Sequence, residues 1–372
     1  MKTLFLNKAL DVFNRSVKIR FKGIRKYNGN AEQILKQCVD SCWNGNYFQA
    51  SSGHFSCFYI RDFGISVQAL LNLGYMEKVV KTLEFALDSY SKNNRTTSMI
   101  YHGSVLDFPC YTPESVAYLL HSIRLADAKE LLFKHKFFLE KEIRKAFFKS
   151  FDADAGLIKK NANFSSMKDN ALRSSSLYNN LMIAMLSNNI DYFGLYNPFK
   201  GYDFKKIIKD NFWTGNYFLD DLSGLDYVAG DANVFPYWTG LFDSKKMIKL
   251  SLDAIQKEGL DKPFPLKYTK EKVGKYLFLN SILVPNYEGD AIWTNLGQCF
   301  IDVVKKVDKE KAGEYISQYI KNVEKYKNYI EVFNPDGTPY KTLVYYADEA
   351  MLWSSNLLNS INKSKDLYIS KL

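Results

Sequence analysis

An all-α fold is what this sequence predicts: a closed (α/α)6 barrel, a toroid of six helical hairpins forming one domain. Three observations carry that reading. Apolar residues recur at helical spacing in about twelve segments, roughly 30–43, 61–73, 76–91, 113–126, 128–149, 173–189, 202–212, 231–241, 244–257, 290–306, 309–325 and 345–361. No Pro/Ser-rich linker divides the series, and its Gly- and Asp-rich stretches fall between helices as short connections. No unit recurs at a fixed period, so a closed ring is expected rather than an open superhelix.

Residues 1–28 are expected to form an extension that packs on the barrel of 29–372. The opening MKTLFLNKALDVFNRS has a short apolar patch, but Lys8 and Asp11 interrupt it before a secretory h-region can form. No later run is long enough to cross a bilayer, so no membrane partner is expected. Two kinds of helix alternate. ISVQALLNLGY carries almost no charge and suits an inner position packed on two sides, whereas MEKVVKTLEFALDSY, beyond the break at Gly74, has one apolar face and suits the outside.

Hydrophobic residues make up 47% of the 372 residues and aromatics 16%, which supports a large core with rings to spare for a cleft. The net charge of +10 is dispersed among acids, as in KKVDKEK at 305–311, which reads as solvated helix faces rather than a nucleic-acid surface. Five cysteines, odd in number and without CxxC spacing, indicate neither a disulfide framework nor a metal site. A soluble, cytoplasmic protein without a cofactor is expected; its oligomeric state is left open, a monomer included.

Five segments between helices are rich in Trp, Tyr, Asp, Asn and Gly: FYIRDFG (58–64), DADAGLIKKNANFSSMKDN (152–170), FLDDLSGLDYVAGDANVFPYW (218–238), NYEGDAIWTN (286–295) and YIEVFNPDGTPYKTLVYYADEAMLW (329–353). A sugar presents an apolar ring face and a rim of hydroxyls, and its site needs flat aromatic surfaces beside fixed carboxylates and amides. The composition of these segments suits a carbohydrate partner.

Taken in order, these motifs resemble the amylo-α-1,6-glucosidase domain of glycogen debranching enzymes and its glucoamylase-like relatives, over about residues 45–361. FYIRDFGISVQALL resembles that family's WFGRDT segment, GLIKKNANFSSMKDN its GLI…TWMDA loop, and SSSLYNNLMIAML its VEINALWYNAL helix. NFWTGNYFLDD…DANVF is similar to FWN…GYLYDV…RPNQ, YEGDAIW to the GTVWP loop, and IEVFNPDGTPY…ADEAMLWSSNLL to EIFDG…AQAWSVAELL.

The resemblance implies an inverting glycoside hydrolase that removes a terminal glucose-type sugar from an α-glucan, an oligosaccharide or a disaccharide. Such chemistry needs one protonated carboxyl for the leaving oxygen and one ionised carboxyl to activate water, about 6.5–9.5 Å apart. Asp169 falls at the family's general acid and Glu331 at its general base. Arg61 and Asp62 fall where the family binds sugar hydroxyls, and Tyr59, Asp231, Trp238, Tyr287 and Trp293 are further candidates for substrate contact.

Each assignment has a plainer alternative. Asp169 is either the acid or a solvated helix cap; Ser166 replaces the family's Trp, and Lys168 beside the acid would oppose its protonation. Glu331 is either the base or an exposed acid before the Pro335–Asp336–Gly337 turn. Arg61 and Asp62 could form a structural ion pair, Glu114 reads best as a helix cap, Asp231 and Asn233 as loop-ordering residues, and Trp353 as core. A sugar epimerase, which needs paired histidines, is disfavoured because only His54 lies in a site loop. A binding or scaffold protein that kept the ring and lost the acid remains the alternative to an enzyme.

Overall fold

The computed structural model describes residues 2–277 and 282–369. Fourteen helices occur among the described residues. They are α1 (Lys2–Lys22), α2 (Ala31–Ser41), α3 (Ile60–Asn72), α4 (Met76–Lys92), α5 (Glu114–Leu125), α6 (Lys129–Lys134), α7 (Lys136–Ser150), α8 (Leu177–Tyr192), α9 (Phe204–Phe212), α10 (Gly230–Trp238), α11 (Lys245–Lys257), α12 (Thr294–Val304), α13 (Lys309–Tyr326) and α14 (Ser354–Ile369).

Six of them form an inner ring. α3 packs on α5, α5 on α8, α8 on α10 and α10 on α12, while α14 returns to α3. The other six barrel helices, α2, α4, α7, α9, α11 and α13, stand outside, and α13 closes the ring by touching both α2 and α14. The expected (α/α)6 barrel is therefore the observed fold.

Burial explains which helix goes where. α8 is buried at nearly every position from Leu177 to Ile190, which only a helix covered on all sides tolerates. α4 instead buries Val79, Thr82, Leu83, Ala86, Leu87 and Tyr90, one stripe at three- and four-residue spacing. Where α3 meets α5 the backbones come close: a Cβ on Gly64 would lie 2.4 Å from the Tyr118 ring, so this crossing requires glycine.

Helix starts are satisfied in two ways that do not follow the rings strictly, since inner α8 is capped by Ser176 and outer α4 and α7 have no side-chain cap. Outer helices α2, α9, α11 and α13 are capped by the side chains of Asn30, Asp203, Ser244 and Asp308. Inner helices α3, α5, α10 and α12 begin after Tyr59, Pro113, Ala229 and Trp293 with no side-chain cap. Three of these satisfy a first N–H with a chain segment crossing the barrel mouth: Ile60 N donates to Ser98 O (3.0 Å), Gly230 N to Tyr268 O (2.7 Å) and Thr294 N to Glu331 O (3.2 Å). Those bonds pin the site loops over the inner N-termini.

Two segments depart from the expected pattern. The helix expected at 128–149 breaks at His135 into α6 and α7. The one expected from 345 begins only at Ser354, because residues 345–353 are held in place from outside: the Asp348 carboxylate accepts from Ser51 Oγ, His54 N and Phe55 N, Glu349 pairs with Arg15, and Ala350 sits at φ +52°. No sheet larger than three short strands is present among the described residues.

Candidate active site

A cleft of about 680 Å3 opens at the N-terminal end of the inner ring. Tyr59, Arg61, Asp62, Asp169, Tyr287, Trp293 and Glu331, all singled out from the sequence, line it. Asp231 and Trp238 do not. Trp238 is the last residue of α10, about 12 Å along the axis from the end that faces the cleft, and packs on His121 and Phe235. Asp231 is fully buried in a four-charge cluster beneath the 165–176 loop, where Lys168 Nζ stands 2.7 Å from Asp220 and 3.6 Å from Asp231, and Arg173 Nη1 3.2 and 3.4 Å from the same two acids.

Glu331 is placed by a short ribbon in which Ile292–Trp293 pairs antiparallel with Val332–Phe333. It is 1% exposed, so the solvated alternative does not hold. Tyr287 OH donates to one of its oxygens (2.5 Å), and Tyr345 OH (2.6 Å) and Asp348 N (2.8 Å) to the other. Burial and the Asp348 charge push its pKa up to about 7 despite these three donors. Full ionisation at neutral pH, which a base requires, is thus opposed by desolvation. Behind Tyr345, the His54 ring lies 3.2 Å from its hydroxyl, and burial lowers the imidazole pKa to about 4, so His54 is neutral.

Asp169 sits among donors. Arg61 holds it in a bidentate pair (3.1 and 2.9 Å), Ser165 Oγ donates to it, and Ser166 N reaches it at 3.3 Å. Lys168 is not its partner, as adjacency in sequence suggested, because the lysine turns inward to Asp220. Arg61 also donates through Nε to Glu114 (2.5 Å), which is fully buried and pairs with the guanidinium rather than capping α5. Three of the five guanidinium N–H groups are thereby used. Asp62 faces the same cleft from the first turn of α3; burial pushes it up to about 7.

Glu288, which sequence reasoning passed over although it follows Tyr287 in a quoted loop, also lines the cleft. It accepts from Asn170 N (2.8 Å) and Asn170 Nδ2 (2.7 Å), and burial followed by the Asp169 charge pushes it up to about 8. Tyr345, within the quoted segment 329–353, and Tyr268, which no sequence signal marks, line the cleft as well. Trp353 lines the cleft while 3% exposed, and its Nε1 is buried without a hydrogen-bond partner among the described residues. Asn233, inside α10, orders the segment around Phe218, accepting from Phe218 N (2.8 Å) and donating to Phe218 O (3.0 Å). Within one cleft, then, stand four carboxyls, a guanidinium, a ring of aromatic faces and one unsatisfied indole N–H.

No known protein-family profile and no curated protein matches the sequence. Solved structures do. A rhamnosidase from Klebsiella oxytoca with rhamnose bound superposes over 90% of this chain with a TM-score of 0.65 at 9% identity, and the chain spans 63% of that protein's length. A glycosidase variant in complex with glucose superposes over 88% of this chain and 94% of its own, with a TM-score of 0.62 at 9% identity. A GH63 mannosylglycerate hydrolase from Thermus thermophilus superposes over 89% of this chain and all of its own, with a TM-score of 0.59 at 10% identity. At these identities the likeness is one of fold: the chain has the (α/α)6 barrel shared by these glycosidases.

Proposed function

We propose that the protein is a glycoside hydrolase that releases a terminal sugar with inversion, Glu331 acting as base and Asp169 as acid. The observation that carries the proposal is the cleft itself, where four carboxyls with different surroundings meet aromatic faces at the mouth of a barrel used by glycosidases. Tyr287 and Tyr345 aim Glu331 from both sides, as a base that must activate a water requires. Trp293, Tyr287 and Tyr59 supply flat faces, and Trp353 Nε1 offers a donor to a sugar hydroxyl. Asp169 is held by Arg61 through two hydrogen bonds. A sugar hydroxyl that takes over that guanidinium would free the carboxyl to face the glycosidic oxygen.

The substrate class expected from the family resemblance is an α-glucan end, an oligosaccharide or a disaccharide. Incubation with a panel of disaccharides and malto-oligosaccharides, following reducing sugar and anomer by NMR, tests the reading. Wild type is expected to release the inverted anomer, and Asp169→Asn and Glu331→Gln each to lose nearly all turnover while still binding sugar. Retained turnover in Asp169→Asn moves the acid role to Glu288 or Asp62. A second reading, a sugar-binding protein without hydrolysis, is favoured by the donors crowding Asp169; binding without release by the wild type across the panel would establish it.

A further inference from the structure

Helix α1 carries two stripes on nearly opposite sides. At 3.6 residues per turn, Lys8, Val12, Arg15, Ser16 and Ile19 share one side, and this side faces the barrel: Lys8 donates to His54 O, Arg15 pairs with Glu349, and Ser16 Oγ accepts from Tyr346 N (3.0 Å). Leu6, Leu10, Phe13, Val17 and Phe21 fall together on the other side. They are not core. Leu6 is 60% exposed, Leu10 48%, Phe13 43% and Phe21 85%, a continuous apolar stripe of the kind monomeric proteins rarely leave in water.

The surroundings of the stripe say what it meets. In the helical projection Arg20, whose Nη2 also donates to Tyr345 O (3.3 Å), borders it on one side and Lys18 on the other, with Lys22 further round beyond Lys18, and all three are exposed. The one acid in α1, Asp11, is engaged by the Tyr101 hydroxyl. Leu6 and Phe13 also form the rim of the cleft, where Phe108, Leu283 and Val344 complete an apolar collar, and Leu343 in the adjoining hairpin is 92% exposed. Apolar side chains bracketed by Lys and Arg on one exposed helix face are the pattern of a helix that lies in the surface of an anionic bilayer, apolar groups among the acyl chains and cations at the phosphates.

We infer that α1 and the collar dock the protein on an anionic lipid surface, with the mouth of the cleft turned toward that surface. Juxtaposition of the α1 stripe with the cleft rim carries this inference, which does not depend on the hydrolase reading. A short amphipathic stripe of this kind lies on a bilayer rather than across it, and no described helix is long and apolar enough to cross one.

Co-sedimentation of the full chain with vesicles decides the matter. Phosphatidylcholine vesicles containing about 30% phosphatidylglycerol should bind it, pure phosphatidylcholine should bind it at least about tenfold more weakly, and raising salt from about 0.1 to 0.5 M should weaken binding further. Leu10→Glu and Phe21→Glu, and independently Lys18→Glu with Lys22→Glu, should each lower binding about tenfold with circular dichroism and melting unchanged. Absence of binding to either vesicle overturns the inference, as does binding that none of these variants reduces. Concentration-dependent dimerisation in gel filtration, abolished by Leu10→Glu, would assign the stripe to a second copy of the chain and overturn it equally.

Discussion

Replacing Lys168 with Met is the sharpest stability test of the site. Lys168 is 1% exposed, and its ammonium stands 2.7 Å from Asp220, with Asp231 at 3.6 Å. Burial alone would raise Asp220, but Lys168 and Arg173 outweigh it and hold the carboxyl down at about 2. Without the lysine, Asp220 keeps Arg173 and Tyr227, while Asp231 Oδ1, which has no hydrogen-bond donor among the described residues, loses its neighbouring cation. Breaking one side of such a buried network costs about 3–5 kcal/mol. Taking roughly 2.1 cal/mol/K per residue for the unfolding entropy, about 0.8 kcal/mol/K for this chain, the Tm should fall by about 4–6 °C. Calorimetry of Lys168→Met, Asp220→Asn and the double variant measures this. The double variant should cost less than the sum, because each single change strands charge that the other removes. A shift below about 1 °C for Lys168→Met, or strict additivity, would refute the argument that these buried charges hold the 165–176 loop.

Other perturbations have equally definite outcomes. Gly230→Ala would place a Cβ 2.3 Å from the Lys267 carbonyl oxygen, a backbone atom that cannot swing away, so a loss of about 1–3 kcal/mol is expected in urea unfolding. Asp62, Glu288 and Glu331 all have folded pKa values raised to about 7 or 8, so the folded chain binds their protons more tightly than the unfolded one. Their contribution is full below about pH 4 and is lost as pH rises through 7 to 8, so the urea midpoint should decline over that interval; Asp220 acts in the opposite sense, its contribution being lost only as pH falls from about 4 to 2. A midpoint that rises from about pH 5 to 8 would contradict the burial of these acids. Tyr345→Phe removes a donor that favours ionised Glu331, so the Glu331 carboxyl should titrate at higher pH by carbon NMR, and the low-pH limb of any hydrolysis should move upward with it.

The barrel was legible because helical periodicity is local. A stretch such as ISVQALLNLGY announces an inner helix by its lack of charge, wherever the partners come from. Likewise Tyr59, Arg61 and Trp293 beside helix starts, and Glu331 ahead of a turn, carry the chemistry of a sugar site. Partners across the fold were less legible. Lys168 is adjacent to Asp169 in sequence, yet successive side chains diverge, and the cation on Asp169 comes from Arg61, 108 residues away. Nothing local to Glu288 marks its burial, and it is burial with the Asp169 charge that raises its pKa against the Asn170 hydrogen bonds. Trp238 shared a quoted segment with Asp231, but a nine-residue helix carried it to the other end of the ring.

What the sequence determined by itself is the helical inventory, its division into apolar and amphipathic members, and the set of carboxyls and rings available for a site, since each depends on residues within a turn or two of one another. What only the tertiary structure decided is which acids are paired, which are desolvated and which reach the cleft. Ion pairing and dielectric are set by groups brought together from distant segments, as Arg61 joins Glu114 and Asp169, and Glu331 joins Tyr287, Tyr345 and Asp348.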